Sequence, residues 1–252
     1  GGLLNEAWFR ALDMVLAVAN ELGVRLVIPF VNTAYYQVWG HTGYYADWVG
    51  EGSQQRAFFE SPAQRQLFKT VLGRVIGRTN TLTGKRYMDE EAVLAWEIGN
   101  ELHNVRYGFT PVAGVTPPPP IEWTTDIARY IKALDPNHLV MDGGQFSTQA
   151  LEVEELDIVG STYYGKAASA MLSEVQELQR WNAFSQLHLR KTFVVKEFGL
   201  MNQTANIPVQ DLNWVQQILE TARGHPVVTG AMYWSLRSHA AEGGFFHHAE
   251  LG

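Results

Sequence analysis

The chain has 252 residues, with 26 acidic and 19 basic side chains, a formal net charge of −7 and no cysteine. With no long run of like charge, that balance excludes the electrostatic footprint of a nucleic-acid or anionic-membrane binder, and the missing cysteine excludes disulfide frameworks and thiolate metal sites. No apolar run reaches transmembrane length, and the length suits one large core, so a single domain over residues 1–252 is expected.

Asn5 reads as the cap of a helix with apolar residues at Leu12, Val15, Leu16, Ala19 and Leu22, stopped by Gly23. Val24 to Val31 is a buried-strand pattern, and Asn32 to Glu60 a long loop carrying Tyr35, Tyr36, Trp39, Tyr44, Tyr45 and Trp48. Ser61-Pro62 opens a helix to about Thr79, with proline where a missing N–H does no harm. Ala92 to Ile98 is an apolar run too short for a core helix, so it reads as a strand buried on both faces; it leads through Gly99 into Asn100 and Glu101. After Pro117 to Pro120 come a helix from about Ile121 to Leu134, an Asp135-Pro136-Asn137 turn, and a strand from His138 to Asp142 ending in Gly143-Gly144. Leu156 to Tyr164 is a strand, Ala168 to Leu187 a helix, Thr192 to Glu197 a strand, Asp211 to Ala222 a helix and Val227 to Trp234 the last strand.

Strand and helix alternate, which is the signature of a parallel sheet with crossover helices. No glycine-rich phosphate turn of the doubly wound type is present; Gly143-Gly144 does not match it. The long, irregular, aromatic segments all follow strands while the turns before strands are tight, as in a (β/α)8 TIM barrel. Six strands do not close such a barrel, and the chain opens on a helix. The expected fold is therefore an incomplete barrel lacking about two strands before Gly1 and the last helix after Trp234.

In a parallel barrel the ends of the Ala92 and Thr192 strands lie on one face and present Glu101 and Glu197 there. Two facing glutamates meet the minimum for glycoside hydrolysis: one protonated to assist the leaving oxygen, the other ionised to attack or to activate water. The alternative is a pair of structural carboxylates, each matched by a lysine or arginine. Strand alternation points Lys196 away from Glu197. His239, His247 and His248 lack a carboxylate at ligand spacing and read as solvent-exposed, so no metal or cofactor is expected. Loop aromatics from Tyr35 to Trp48 either line sugar subsites or pack on the barrel rim.

AWEIGNE resembles the acid/base signature of the clan A glycoside hydrolases, and FVVKEFG resembles their nucleophile signature. RLVIPFVN, YADWVG, the stretch from Phe58 to Leu102 and LDPNHLV resemble glycoside hydrolase family 5, especially its endo-β-1,4-mannanase branch. The resemblance covers about Leu12 to Trp234. It implies a retaining double displacement on a β-1,4-linked oligo- or polysaccharide, mannan first, with Glu101 as acid/base and Glu197 as nucleophile. It implies Asn100 on the sugar 2-hydroxyl, Trp234 as a stacking floor, and Tyr164 bonded to Glu197. Asn32, Tyr36, Trp39 and His41 are further candidates for sugar contact.

The sequence also departs from the family. Thr162 stands where a histidine is usual, Leu102 follows Glu101 where proline is usual, and the arginine normally supplied by the second strand is not in the chain. A β-glucan-active enzyme, a carbohydrate-binding pseudoenzyme and an inactive fragment are the alternatives. The family implies a secreted or extracytoplasmic protein.

Overall fold

The computed structural model describes residues 5–32, 45, 49–50, 57–102, 119–164, 168–185, 190–199 and 209–234. Helix α1 (Glu6–Leu22) starts where the Asn5 side chain accepts from the Ala7 N–H and ends at Gly23, whose φ of +68° suits a residue without a Cβ. Strand β1 (Leu26–Pro29) follows, then a short helix α2 (Ala57–Glu60) and α3 (Pro62–Ile76), capped by Ser61. The next elements are β2 (Val93–Glu97), α4 (Ile121–Leu134), β3 (Leu139–Met141), α5 (Thr148–Leu151) and β4 (Ile158–Tyr164). Helix α6 (Ala168–Phe184), β5 (Thr192–Gly199), α7 (Val209–Gly224) and β6 (Val228–Tyr233) complete the described chain.

All pairings are parallel, in the order β1-β2-β3-β4-β5-β6. The sheet is strongly curled. Neighbouring strands lie about 4.8 Å apart, so β2 and β5, three steps apart, would be about 14 Å apart if flat. Instead Lys196 Nζ on β5 lies 3.3 Å from Glu97 Oε1 on β2. Side chains that stand perpendicular to a flat sheet would not meet across that gap, so the sheet is bent toward closure, and six strands of a (β/α)8 barrel supply that bend.

Curling gives two apolar layers. Ala95, Met141, Ile158 and Val194 form a small buried cluster on the concave side, with Val27 and Leu139 against it. The larger layer packs Trp96, Ile98, Val159 and Phe193 on the convex side against Leu16, Phe68, Leu72, Ile127 and Val175 of the helices. Trp96 Nε1 donates to the buried Asp135 (2.7 Å), which also accepts from the Asn137 and His138 N–H groups and lies 2.7 Å from His138 Nδ1. The Asp-Pro-Asn-His turn thus fastens the end of α4 to strand β2.

Several expected boundaries move, for local reasons. Helix α3 stops at Ile76 rather than Thr79, because Arg78 leaves the helix to bind Asp13 and Thr79 bridges Arg86. Only Leu16 and Ala19 of the apolar residues expected on the inner face of α1 are fully buried; Val15 and Leu22 are exposed, while Asp13 takes a core position. Part of the expected aromatic loop is packed structure, with Tyr45 buried against Phe58 and Phe68 at centroid distances of 5.2 and 5.5 Å. Strand β1 is shorter than expected and β5 runs two residues further, to Gly199.

Candidate active site

The chain leaving β2 is tied on both sides. The Asn100 N–H donates to the Val31 carbonyl (2.7 Å), placing Asn100 beside Asn32 at the end of β1. The Leu102 N–H donates to the Gly143 carbonyl (3.1 Å) beyond β3. A proline at position 102 would lack that donor, which is the local reason leucine serves here. Between these two anchors Glu101 adopts a φ of +50°, a left-handed conformation rare for a residue with a side chain. Close approach of the strand ends explains the glycines nearby: a Cβ on Gly143 would lie 2.0 Å from the Gly99 carbonyl oxygen.

Strand β5 carries a bulge. Ser161 pairs with Val195 and Thr162 with Glu197, so Lys196 is the extra residue. A bulge breaks the alternation of side chains, and this one corrects the expectation for Lys196. A Cβ on Gly160, which shares the face of Thr162 and Tyr164, would meet Lys196 Cγ at 3.2 Å. Glu197 accepts from Tyr164 Oη on that same face (2.7 Å). Lys196 and Glu197 therefore both turn into the concave side.

Four carboxylates and one ammonium share this interior. Lys196 and Glu97 are almost wholly buried, and Asp142 lies at the end of β3. Burial pushes Glu97 above the usual carboxylate range, with Lys196 opposing, and burial likewise raises Asp142 against the Gly143 and Gly144 N–H groups. Glu197 is pushed up to about 7, first by burial and then by the charges of Glu101 and Glu97, while the Tyr164 hydrogen bond and Lys196 pull the other way. Lys196→Met should therefore move the Glu197 titration midpoint above about 7, since removing a cation disfavours the ionised form. Carboxyl ¹³C NMR reads this directly; an unmoved midpoint would remove Lys196 from the electrostatics of the site.

Glu101 meets the site through β4. Thr162 Oγ1 donates to Glu101 Oε1 (3.1 Å), and two residues on Tyr164 holds Glu197. The two carboxylates thus occupy one face, each bonded to a hydroxyl of the same strand. Trp234, at the end of β6, is 39% exposed rather than packed in the core, and its N–H donates to the Phe198 carbonyl (2.8 Å), which places it beside the end of β5. Tyr36, Trp39 and His41, like His239, His247 and His248, lie outside the described residues.

Gln145 escaped the sequence reading. It follows Gly143-Gly144 at the C-terminal end of β3, and its amide brackets Thr162, with Nε2 donating to Oγ1 (2.5 Å) and Oε1 accepting from the Thr162 N–H (3.1 Å). The rule that barrel strand ends face the site would have singled it out. Glu97 escaped as well, although a glutamate inside a buried apolar run is itself an anomaly.

Two carboxylates at the C-terminal ends of parallel barrel strands make the kind of site that glycoside hydrolases carry. The chain belongs to glycoside hydrolase family 5, its β-mannosidase-like members, whose profile matches residues 4–162. It is 26% identical to mannan endo-1,4-beta-mannosidase 7 of Arabidopsis thaliana over 272 residues, covering 93% of this chain and 61% of that protein. It is 32% identical to mannan endo-1,4-beta-mannosidase 4 of Oryza sativa subsp. japonica over 170 residues, 65% of this chain and 35% of that one. The chain thus spans about a third to three fifths of the length of these curated relatives.

Solved structures agree on the fold. A family 5 mannosidase from Rhizomucor miehei superposes with a TM-score of 0.73 at 19% identity, covering 94% of this chain and 66% of that one. An endo-β-1,4-mannanase from Thermotoga petrophila gives 0.69 at 22% identity, covering 96% and 56%.

Proposed function

We propose that this chain carries the catalytic site of a retaining endo-glycosidase that cleaves β-1,4-linked mannan, with Glu101 as acid/base and Glu197 as nucleophile. One observation carries the reading: both carboxylates sit on the same face, each held by a hydroxyl of β4. A donor such as Tyr164 Oη stabilises the anionic form of Glu197, and Lys196 adds a buried positive charge beside it. Both oppose the rise that burial imposes on Glu197 and favour the anion that a nucleophile needs.

Glu197 would attack the anomeric carbon as Glu101 protonates the departing glycosidic oxygen. Water would then displace Glu197 from the glycosyl-enzyme, with Glu101 taking its proton. Asn100, next to Glu101, would bond the sugar 2-hydroxyl. The exposed Trp234 ring would offer an apolar face to the sugar's C–H groups. Mannan as substrate rests on the names of the curated relatives, and a polymer of that kind is met outside the cytoplasm.

Retention is testable by ¹H NMR of the new reducing end during hydrolysis of mannan and of a β-1,4-glucan. The β-anomer should form first, and mannan should be cut faster. Initial α-anomer would mean inversion, faster cleavage of glucan would replace the substrate, and binding without hydrolysis of either polymer would replace the enzyme with a carbohydrate-binding protein.

A further inference from the structure

We propose that Gln145 is the positioning residue of Glu101, acting through Thr162 to fix which oxygen of the acid/base carries its proton. The inference rests on the assignment of Glu101 as acid/base. It follows from counting donors along one chain of hydrogen bonds.

The backbone N–H of Thr162 has one proton to give, and it gives it to Gln145 Oε1 (3.1 Å). That fixes the orientation of the amide, so Nε2 faces Thr162 Oγ1 (2.5 Å) and must be the donor there. With a lone pair of Oγ1 thus occupied, the single hydroxyl proton of Thr162 is directed at Glu101 Oε1, 3.1 Å away. An oxygen that accepts this proton is a poor place for a second one. When Glu101 is protonated, its own proton therefore resides on Oε2.

Gln145 is itself well anchored. The next residue, Phe146, donates its N–H to Ser161 Oγ (2.9 Å), and Ser161 donates to Glu174 Oε2 on α6 (2.7 Å). The loop after β3 is thereby pinned to both faces of β4, through Ser161 on the convex side and Thr162 on the concave side. Threonine, standing where the family resemblance calls for histidine, cannot hold a fixed donor direction alone because its hydroxyl rotates freely. Gln145 removes that freedom.

The test separates positioning from folding by leaving group. With aryl β-mannobiosides, kcat/KM reports the step in which the aglycone departs, and only a poor leaving group such as phenol needs a proton from Glu101. Gln145→Leu and Thr162→Val should lower kcat/KM on the phenyl glycoside by about tenfold or more, as misplacement of a catalytic group does. The 2,4-dinitrophenyl glycoside should be little changed, and Thr162→Ser should restore the phenyl rate. Equal losses on both substrates, or none, overturn the proposal. Glu101→Gln run alongside tells two failures apart: equal losses there remove the acid assignment itself, whereas a split there without one in Gln145→Leu removes only the positioning role. A measurement independent of turnover is the ¹⁵N-resolved side-chain amide of Gln145. Its two protons should be well separated and protected from solvent exchange, Thr162→Val should collapse that difference, and a solvent-like amide in the wild-type protein overturns the proposal.

Discussion

Glu197→Gln should reduce kcat/KM on β-1,4-mannan by at least about 10⁴-fold, the scale of losing a group that acts in the transition state. The amide keeps the shape of the side chain and can still meet Tyr164, so folding should be unaffected. What should disappear is the anion that we propose attacks the anomeric carbon. Azide distinguishes the roles of the two glutamates. In Glu197→Ala, azide would enter the vacated space and attack once, giving the α-mannosyl azide. In Glu101→Ala a 2,4-dinitrophenyl glycoside, whose aglycone departs without a proton, still forms the glycosyl-enzyme, and azide would displace Glu197 to give the β-azide. The opposite pattern would exchange the two assignments; no azide adduct from either variant would sink the double displacement.

The second large effect is on stability and lies far from the site. Asp13 is fully buried on α1. It accepts from Arg78 Nε (3.1 Å) and Nη2 (2.8 Å), from Tyr87 Oη (2.5 Å), and from the Thr81 hydroxyl (2.8 Å) and N–H (3.2 Å). Asp13→Ala removes the acceptor of all five bonds and leaves Arg78, among the described residues, only its exposed carboxylate partner Glu6, and breaking such a buried pair from one side costs about 3–5 kcal/mol. The melting temperature should fall by roughly 10 °C.

The pH dependence has a definite sign. Burial alone would raise the Asp13 carboxyl, but the hydrogen bonds from Arg78, Tyr87 and Thr81 outweigh it and hold the group well below the usual range. A depressed carboxylate contributes stability in full above its unfolded value of about 3.9 and loses it as pH falls toward the folded value. The gap between wild type and Asp13→Ala in urea should therefore be constant from neutral pH to about 5 and narrow below about 4. A gap that persists unchanged to pH 2 would mean that the charge on Asp13 is not what matters.

Asp13 also marks the limit of what the sequence discloses. The strand ending in Glu101 was readable because an apolar run has few other fates and a carboxylate at its end stands out. Glu197 was readable the same way, and both were found on one face. Lys196 was misread because alternation holds only where pairing is regular, and the bulge opposite Ser161 and Thr162 depends on two strands at once. Gln145 bonds a residue 17 positions later in the chain, a contact that exists only once β3 and β4 lie side by side. Asp13 was not singled out at all, because its donors come from residues 65 to 74 positions away.

The left-handed backbone at Glu101 has a further consequence. A residue with a Cβ held at a φ of +50° gives up about 1–2 kcal/mol that glycine would not. If Glu101 is the acid/base we propose, the position sets heat tolerance against reactivity: a library of variants screened only for survival on heating would gather glycine or asparagine there, and its most robust members would be catalytically silent.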